Sequence, residues 1–417
     1  MKILHVVRGV NQSSGTTHAI LPMAEEQARR GHEVWLYHVR KPPGVLEAAP
    51  DPTFVKTRVF DLSLPFDHPG FSTSFARAVS RDIGRFDVVH IQAVRNFATW
   101  WTMRCAAGAG VPYIVAPQGS YEDWNLGRRS VRNRLYDRFF EIPLLNRAAR
   151  VHCLTPREVE QVRAMGVTAK CVVIPNGVLV DGALPGPGLE PNPKRNAYKK
   201  TDGLRRLLFL GRIHPKKGLD LLLPAFAQAA EKLLDLRLVI AGSDNGSGEL
   251  VKTIAAAEAL FPGLVDSSSA RPTPASARRH GAAIREENRA PARIVFLGEV
   301  KGRAKEACFA LADAFILPSY SEGLPVAVLE ALAHGLPTIV TDGCNLPEIA
   351  REGAGVQADT TPDGVADAIL RLFADSTALA SCAQAARNLA LERFSWPKIV
   401  DRLLAVYAAL PIAHSFG

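Results

Sequence analysis

Residues 312–348, ADAFILPSYSEGLPVAVLEALAHGLPTIVTDGCNLPE, contain the pattern that decides the fold. A short apolar run of strand length, 314–318, is followed by the polar loop 319–323, which ends in glycine. Residues 325–334 are rich in helix formers, and a second apolar run follows at 338–341. Strand, loop, helix and strand in this order form the repeating unit of a parallel sheet, so the stretch predicts an α/β fold.

Two carboxylates in this stretch, Glu322 and Glu330, are eight positions apart. Glu322 follows the strand, at the edge where open α/β sheets bind ligands. Pro325 fits the first helical position, so amides around Gly323 and Leu324 are free to bind an anion such as phosphate. Glu330, inside the helix, can accept hydrogen bonds from a diol such as ribose. These groups fit a nucleotide-sugar site, although two glutamates alone would favour the alternative, a pair of ordinary solvated side chains.

The run from Glu322 to Glu330 resembles the E-x7-E motif of the family 4 glycosyltransferases, and the similarity continues as far as Ile349. The resemblance implies the GT-B architecture, which is two Rossmann-like doubly wound domains facing each other across a cleft. It implies that Glu330 binds the ribose and Glu322 the transferred sugar. The usual second glycine of the motif is Pro325 here, which removes one N–H donor.

Two cations follow the predicted strand at 206–210, in the sequence GRIHPKKGLD. Arg212 and Lys217 precede a predicted helix, where they can neutralise a diphosphate leaving group. In the resembled family the matching arginine and lysine have that role. Arg212, Lys217 and Glu322 are therefore the candidate catalytic residues, and solvated surface charge is the alternative for the two cations.

The N-terminal half supplies weaker candidates. The loop after the first strand is not GxGxxG, so no dinucleotide site is predicted. Its Gly15 is a candidate donor contact by resemblance, and a plain turn is the alternative. His90 and Gln118, near the ends of two later strands, are candidate acceptor or sugar contacts. His90 also fits a histidine at the edge of the core. Family members often have histidine where Gln118 stands, and an amide cannot take up a proton near neutral pH.

The length of 417 residues suits two domains. The sequence shows a proline-rich linker without periodicity and, as the resemblance implies, a terminal helix that crosses back to the first domain. The predicted acceptor-side domain is 1–180 with helix 397–417, the linker is 181–203 and the donor domain is 204–396. Segment 261–291, rich in Ser, Ala and Arg, is interpreted as a surface insertion, and the proline-rich segment 42–69 as irregular.

The net charge is +9, and residues 1–180 contribute +8 of it. Region 124–150 interleaves arginines with aromatic residues, a composition that suits an anionic membrane surface. The alternative is a solvated basic face that Leu135, Phe139 and Phe140 pack onto the domain. The branch that this segment resembles builds cell-surface polysaccharides, which implies a lipid-linked acceptor. No nucleic-acid motif is present, so nucleic acid is not expected as a partner.

The six cysteines have no CxxC spacing, which predicts reduced core residues of a cytoplasmic protein. This protein is expected to be peripheral on the inner face of the membrane. No metal cluster, cofactor, signal peptide or apolar run of membrane-spanning length is expected. The resemblance implies a retaining glycosyltransferase that moves a sugar from a nucleotide diphosphate to a saccharide hydroxyl. No nucleophile is visible, so same-face attack is expected. The alternatives are a GT-B nucleotide-sugar epimerase and a catalytically silent binding subunit.

Overall fold

The computed structural model describes residues 1–10, 15–40, 47–63, 70–122, 124, 130–180, 202–270 and 292–411. The chain folds into two compact units. The N-terminal unit comprises residues 1–178 and 394–417, and the C-terminal unit comprises residues 179–393. Each contains one seven-stranded parallel sheet with helices along it, which confirms the predicted fold class of two Rossmann-like α/β domains.

The sheet of the N-terminal unit has the strand order β3-β2-β1-β4-β5-β6-β7. Its strands are β1 (Lys2–Val7), β2 (Glu33–Val39), β3 (Val55–Phe60), β4 (Val88–Gln92), β5 (Tyr113–Ala116), β6 (Arg150–Cys153) and β7 (Cys171–Val173). Its helices are α1 (Gly15–Arg29), α2 (Thr73–Asp82), α3 (Phe97–Ala109), α4 (Val131–Tyr136), α5 (Ile142–Leu145), α6 (Pro156–Ala164) and α14 (Trp396–Ala408). A π-helical turn, Asp137–Glu141, joins α4 to α5.

Side chains alternate between the two faces of this sheet, because successive residues of a strand point to opposite sides. Leu4 and Val6 join the core on the side of α2 and α3. Ile3 and Val7 join the core on the side of α1 and α14. β1 is therefore covered on both faces, as expected for a central strand of a parallel sheet.

The last helix, α14, packs against α1 of the same unit. Its first residue, Trp396, is buried under the backbone of Gly177, where a Cβ would lie 2.4 Å from the indole ring. Only glycine fits this approach without displacing the ring. Arg30, just after α1, forms an ion pair with Asp401 of α14. The C-terminal segment therefore completes the core of the N-terminal unit.

Three histidines, His5, His90 and His152, are fully or almost fully buried in β1, β4 and β6. The hydroxyl of Tyr407 in α14 lies 2.6 Å from Nδ1 of His90. Gln27 of α1 donates to the same hydroxyl over 3.3 Å. Oε1 of Gln27 lies 2.7 Å from Nε2 of His5. This hydrogen-bonded chain connects the sheet to both helices that cover this face.

One assignment of protons satisfies every bond in the chain. Nε2 of His152 donates to the carbonyl of Ile174 over 2.7 Å, so its Nδ1 accepts from Nε2 of His90, 3.2 Å away. Nδ1 of His90 then accepts from Tyr407. All the rings are neutral in this assignment. Burial lowers the pKa of His5 and of His152 to about 4, and it lowers the pKa of His90 well below its ordinary value.

The sheet of the C-terminal unit has the order β10-β11-β9-β8-β12-β13-β14. Its strands are β8 (Arg205–Leu210), β9 (Leu236–Ala241), β10 (Val265–Asp266), β11 (Ile294–Gly298), β12 (Ala314–Leu317), β13 (Thr338–Thr341) and β14 (Gly355–Ala358). Its helices are α7 (Leu219–Lys232), α8 (Glu249–Leu260), α9 (Arg303–Leu311), α10 (Val326–Ala333), α11 (Glu348–Arg351), α12 (Pro362–Phe373) and α13 (Ser376–Leu389). β12, α10 and β13 are the predicted strand, helix and strand.

Two segments that the sequence did not assign to strands form edge strands. β3 lies within the stretch 42–69, which was predicted to be irregular, and it pairs with β2. β10 lies at the start of the predicted insertion 261–291 and pairs with β11. Residues 271–291 of that insertion, and the linker except for its last two residues, lie outside the described residues.

We predict that protonation of its buried histidines destabilises the N-terminal unit in acid, against the opposite effect of Glu141 and Glu158, whose pKa values burial raises to about 7. The unfolded chain takes up protons on its histidines below the ordinary pKa of 6.5, whereas the buried rings remain neutral until about pH 4. Stability is therefore present above pH 6.5 and is lost as the pH falls, by on the order of 2 kcal/mol for each of His5 and His152 near pH 5. Denaturant unfolding followed by tryptophan fluorescence measures this, because all five tryptophans belong to the N-terminal unit.

The C-terminal unit is the internal control for this measurement. None of its described histidines is buried. A transition of the C-terminal unit, followed by circular dichroism, should therefore be the same in the wild type and in His5→Gln with His152→Gln. A tryptophan transition whose pH dependence is the same in this variant as in the wild type would contradict the assignment of neutral buried rings.

Candidate functional site

The candidate donor residues of the C-terminal unit lie at the point where its sheet changes direction. From β8 the chain passes to β9 on one side, and it later returns to β12 on the other side. The loops after β8 and β12 therefore begin at the carboxyl ends of adjacent strands. This is the switch point of the sheet, where doubly wound sheets bind ligands. Lys217 and Glu322 are in these two loops.

The two loops are in direct contact through their backbones. Gly218 has a φ of +71°, and a Cβ there would lie 1.9 Å from the carbonyl oxygen of Pro318. The amide of Tyr320 donates to the carbonyl of Lys216 over 2.8 Å. Because a side chain at position 218 would collide with the β12 loop, the glycine permits the approach that brings the two loops together.

A buried ion pair joins these loops. Nζ of Lys217 lies 2.6 Å from Oε1 of Glu322, and Nζ of Lys216 lies 3.7 Å from Oε2. The hydroxyl of Ser319 donates to Oε1 of Glu322 over 2.8 Å. Burial alone would raise the pKa of Glu322, but the ammonium groups of Lys217 and Lys216 bring that pKa below its ordinary value. The carboxylate is therefore ionised at neutral pH and acts only as an acceptor.

The last residue of β13 and a residue of the turn after it hold the Glu322 loop in place. Thr341 donates to the carbonyl of Ser319 over 2.5 Å. The side chain of Asn345, whose φ is +57°, donates to the carbonyl of Glu322 over 2.5 Å. Sequence reasoning missed Lys216, Ser319 and Asn345 as neighbours of Glu322. The left-handed conformation that asparagine tolerates after Asp342-Gly343 was the available signal for Asn345.

The start of α10 corrects the predicted position of Pro325. Pro325 is the N-cap, with φ −76° and ψ 107°, and the helix begins at Val326. The Pro325 carbonyl accepts from Val328 and Leu329, and no side chain caps the helix. The amides of the first helical turn precede the helical hydrogen-bond ladder, so they are donors suited to an anion. Gly323 is buried in the loop just before this turn.

Glu330 is partly buried on α10 and is paired with a residue that sequence reasoning did not single out. Nζ of Lys305, in α9, lies 2.6 Å from Oε1 of Glu330. Both side chains remain about one-fifth exposed. Leu324, by contrast, is almost fully buried.

Arg212 lies in the loop after β8, on the same loop as Lys217. Its side chain is exposed, and it forms no ion pair with another described residue. The guanidinium is therefore available to an anionic ligand without the loss of an internal contact.

The candidates of the N-terminal unit are in different environments. His90 is fully buried, with both ring nitrogens engaged by Tyr407 and His152, so the structure places it in the core rather than at a sugar-binding surface. Gln118, after β5, donates to Gln92 over 3.0 Å. Gly15 is the first residue of α1.

Three non-glycine residues with positive φ lie at the carboxyl ends of β4 and β5. They are Ala93 at +66°, Arg95 at +62° and Gln118 at +55°. Such conformations cost free energy and are concentrated at functional sites. The sequence had no turn signal at Ala93 or Arg95. The strain therefore marks the strand ends around Gln118 more clearly than the residue types do.

Comparisons with known proteins agree with the two-unit architecture. A family model described as "Glycosyl transferase 4-like domain" matches residues 14–177. A second, described as "Glycosyl transferases group 1", matches residues 192–261 and 283–389. The D-inositol 3-phosphate glycosyltransferase of Mycobacterium tuberculosis is 26% identical over 422 residues, which cover 96% of this chain and 79% of the relative.

Two solved structures show the same fold. Sucrose-phosphate synthase from Thermosynechococcus elongatus has a TM-score of 0.69 and 16% identity, covering 98% of each chain. HepE from Anabaena, solved with UDP and glucose, has a TM-score of 0.67 and 16% identity, covering 98% of this chain and all of that one. The two family models together span most of the sequence. The chain therefore belongs to the group 1 glycosyltransferases with a glycosyl transferase 4-like N-terminal domain, which are family 4 enzymes of the GT-B type.

Proposed function

We propose that this glycosyltransferase moves a sugar from a nucleotide diphosphate to a hydroxyl of a lipid-linked saccharide, with retention of the anomeric configuration. The product would enter cell-surface polysaccharide or glycolipid biosynthesis, and the enzyme would work in the cytoplasm at the inner face of the membrane. The observation that carries the donor half of the proposal is the buried ion pair between Lys217 and Glu322 at the switch point of the C-terminal sheet.

The positive groups in the proposed donor site match a diphosphate. Lys217 is held in place by Glu322, and Arg212 lies on the same loop with an exposed guanidinium. The backbone at Gly323 and Leu324 leads into the free amides of α10. As the glycosidic bond breaks, negative charge grows on the leaving diphosphate, and fixed cations stabilise that charge most in the transition state. These side chains would provide the compensation without a metal ion or other cofactor.

The two glutamates would bind hydroxyl groups. Glu322 is ionised, so it can accept hydrogen bonds from the transferred sugar and cannot donate them. Glu330 would accept from the ribose hydroxyls, with Lys305 holding its carboxylate. Glu322 is a poor candidate for a general base, because two lysines lower its pKa. In the proposed mechanism the acceptor attacks from the face that the diphosphate leaves, and a donor phosphate oxygen takes the acceptor proton.

Two named relatives suggest where to begin with substrates. HepE was solved with UDP and glucose, and the mycobacterial relative is named for transfer to an inositol phosphate. UDP-sugars are accordingly the first donors to assay. Gln118, beside Gln92 and Asn176, would contact sugar as a neutral amide.

We expect the product to have the same anomeric configuration as the donor. Proton NMR of the product formed from an α-linked nucleotide sugar would show this through the anomeric coupling constant. The donor alone, without acceptor, should remain unchanged. An inverted product would contradict the proposed same-face attack, and conversion of the donor without acceptor would identify an epimerase.

The substitution Arg212→Ala should lower kcat/KM by roughly 10²- to 10³-fold while leaving the melting temperature unchanged. The reason is that the exposed guanidinium has no described ion-pair partner to lose, so its role would be in the transition state. Arg371→Ala removes an exposed arginine at the end of α12 and is the matched control. Equal activity of the two variants would contradict the assignment of Arg212 to the leaving group.

The pair Glu330 and Lys305 allows the ribose contact to be separated from the ion pair. A nucleoside diphosphate at a hundred times its Kd stabilises the protein by about 2.7 kcal/mol, which thermal unfolding detects. Glu330→Ala should abolish most of this shift. Lys305→Ala breaks the same ion pair but keeps the carboxylate, so it should retain a measurable shift. Both side chains remain in contact with solvent, so the partner that is left can be hydrated and both variants should fold. A full shift in Glu330→Ala would rule out the ribose contact.

A further inference from the structure

The helical stretch 131–145 of the N-terminal unit, which comprises α4, the π turn and α5, exposes its apolar side chains. The exposed fractions are 62% for Val131, 51% for Leu135, 63% for Phe139 and 53% for Phe140. Core-packing by Leu135, Phe139 and Phe140 was the alternative for this segment, and the structure contradicts it. Single exposed apolar residues are ordinary, but four on one short helical stretch indicate an interaction surface.

The acidic side chains of the same stretch are on its buried side. Asp137 and Glu141 have exposed fractions of 1% and 0%. Nε of Arg95 donates to Asp137 over 3.2 Å, and the Arg95 amide donates to Glu141 over 3.2 Å. A surface helix usually turns its apolar side chains inward and its charged side chains outward. This stretch has the opposite arrangement, because its carboxylates face the protein and its phenylalanines face outward.

The spacing of the exposed apolar residues produces one continuous line. Val131, Leu135 and Phe139 follow one another at intervals of four, which places them on one side of a helix. The π turn Asp137–Glu141 brings Phe140 to the surface next to Phe139, where its ring stacks on Tyr136 at 5.8 Å. The apolar line is therefore long and narrow.

The charges that accompany this line are all positive. Arg132, Arg134 and Arg138 are exposed, and none of them forms an ion pair with another described residue. The only acids of the stretch are the two buried carboxylates. A surface that combines exposed phenylalanines with unpaired arginines is complementary to an apolar layer beneath anionic headgroups.

We propose that the exposed side of stretch 131–145 docks onto an anionic lipid bilayer. The apolar line would lie in the interface while the arginines contact lipid phosphates. In the described part of the chain, no helix is long and apolar enough to cross a membrane. The proposal deepens the proposed function, because a docked enzyme would meet its lipid-linked acceptor at the bilayer surface.

Contacts of Arg95 connect this surface to the strand ends. Arg95 follows β4, and its guanidinium donates to the carbonyl of Ser120 over 3.0 Å, in the loop after β5. The same guanidinium pairs with Asp137 on the buried side of stretch 131–145, the docking stretch. Docking would therefore hold the bilayer at a fixed position relative to the carboxyl edge of β4 and β5, where Gln118 lies.

Vesicle flotation of the full chain tests the proposal without any substrate. Vesicles of phosphatidylcholine alone are compared with vesicles of equal parts phosphatidylcholine and phosphatidylglycerol. The wild-type chain should float with the anionic vesicles and bind neutral ones much more weakly. Phe139→Ser with Phe140→Ser should reduce binding to anionic vesicles by about tenfold or more. Reversal of Arg132, Arg134 and Arg138 to glutamate should remove the preference for anionic lipid, since each arginine contributes about fivefold.

The chain offers a matched control for the phenylalanine variant. Leu234 and Val251 are exposed by 69% and 72% and belong to the C-terminal unit, whereas stretch 131–145 belongs to the N-terminal unit. Leu234→Ser with Val251→Ser should bind anionic vesicles like the wild type. Tryptophan fluorescence confirms that each variant is folded. The proposal is overturned if the phenylalanine variant floats like the wild type, or if the wild type floats with neither vesicle.

Binding of a protein partner in place of lipid would give a different experimental result. If wild-type chains form dimers that Phe139→Ser with Phe140→Ser dissociates, and no vesicle binding occurs, the surface is an interface between copies and the lipid proposal fails. The nucleoside diphosphate shift is measured on the same preparations. An intact shift without flotation overturns docking alone, and flotation without a shift overturns the donor site alone.

Discussion

The burial of one carboxylate between two lysines is the constraint on which the C-terminal unit depends. A charge removed from water is costly unless it is paired and hydrogen-bonded. Glu322 meets this condition only because Lys217 and Ser319 approach it from two different loops. The loops must therefore stay in contact, which requires adjacent strands β8 and β12 and a glycine at position 218. The sheet order, the turn and the ion pair are consequences of the same requirement.

Such a pair is weak evidence for stability. Well-packed apolar residues can stabilise a core as much as a buried ion pair, although removing one partner alone costs about 3–5 kcal/mol. Its presence at a sheet edge suited to ligands favours a role in binding, since it fixes a cation and an acceptor before any ligand arrives. Arg212 and Glu330 differ in this respect. They are more exposed, so their substitution separates function from folding more cleanly than substitution of Lys217.

The sequence predicted the elements that follow one another along one continuous stretch of chain. β12, its loop and α10 follow one another within residues 312–333, so local patterns sufficed to place Glu322 in the loop after a strand and Glu330 in a helix. Contacts made across the sheet were not predictable in this way. Lys216, Lys305 and Asn345 reach the two glutamates from other elements, and the single sequence does not state which strands are neighbours. The short edge strands β3 and β10 were missed because pairing, rather than periodicity, makes them strands.

The same limit explains why the sequence left two alternatives open in the N-terminal unit. Periodicity shows which residues share a face of a helix or strand, but it does not show which face is turned inward. In stretch 131–145 the apolar residues would ordinarily be assigned to the core. Arg95 reverses that assignment, because its pairing with Asp137 and its backbone bond to Glu141 bury the acidic side. In β4 the alternation of side chains likewise does not show whether His90 faces the core. Tyr407, on a helix more than three hundred residues away in sequence, fixes the ring in the core. In both cases a distant polar partner determines the orientation.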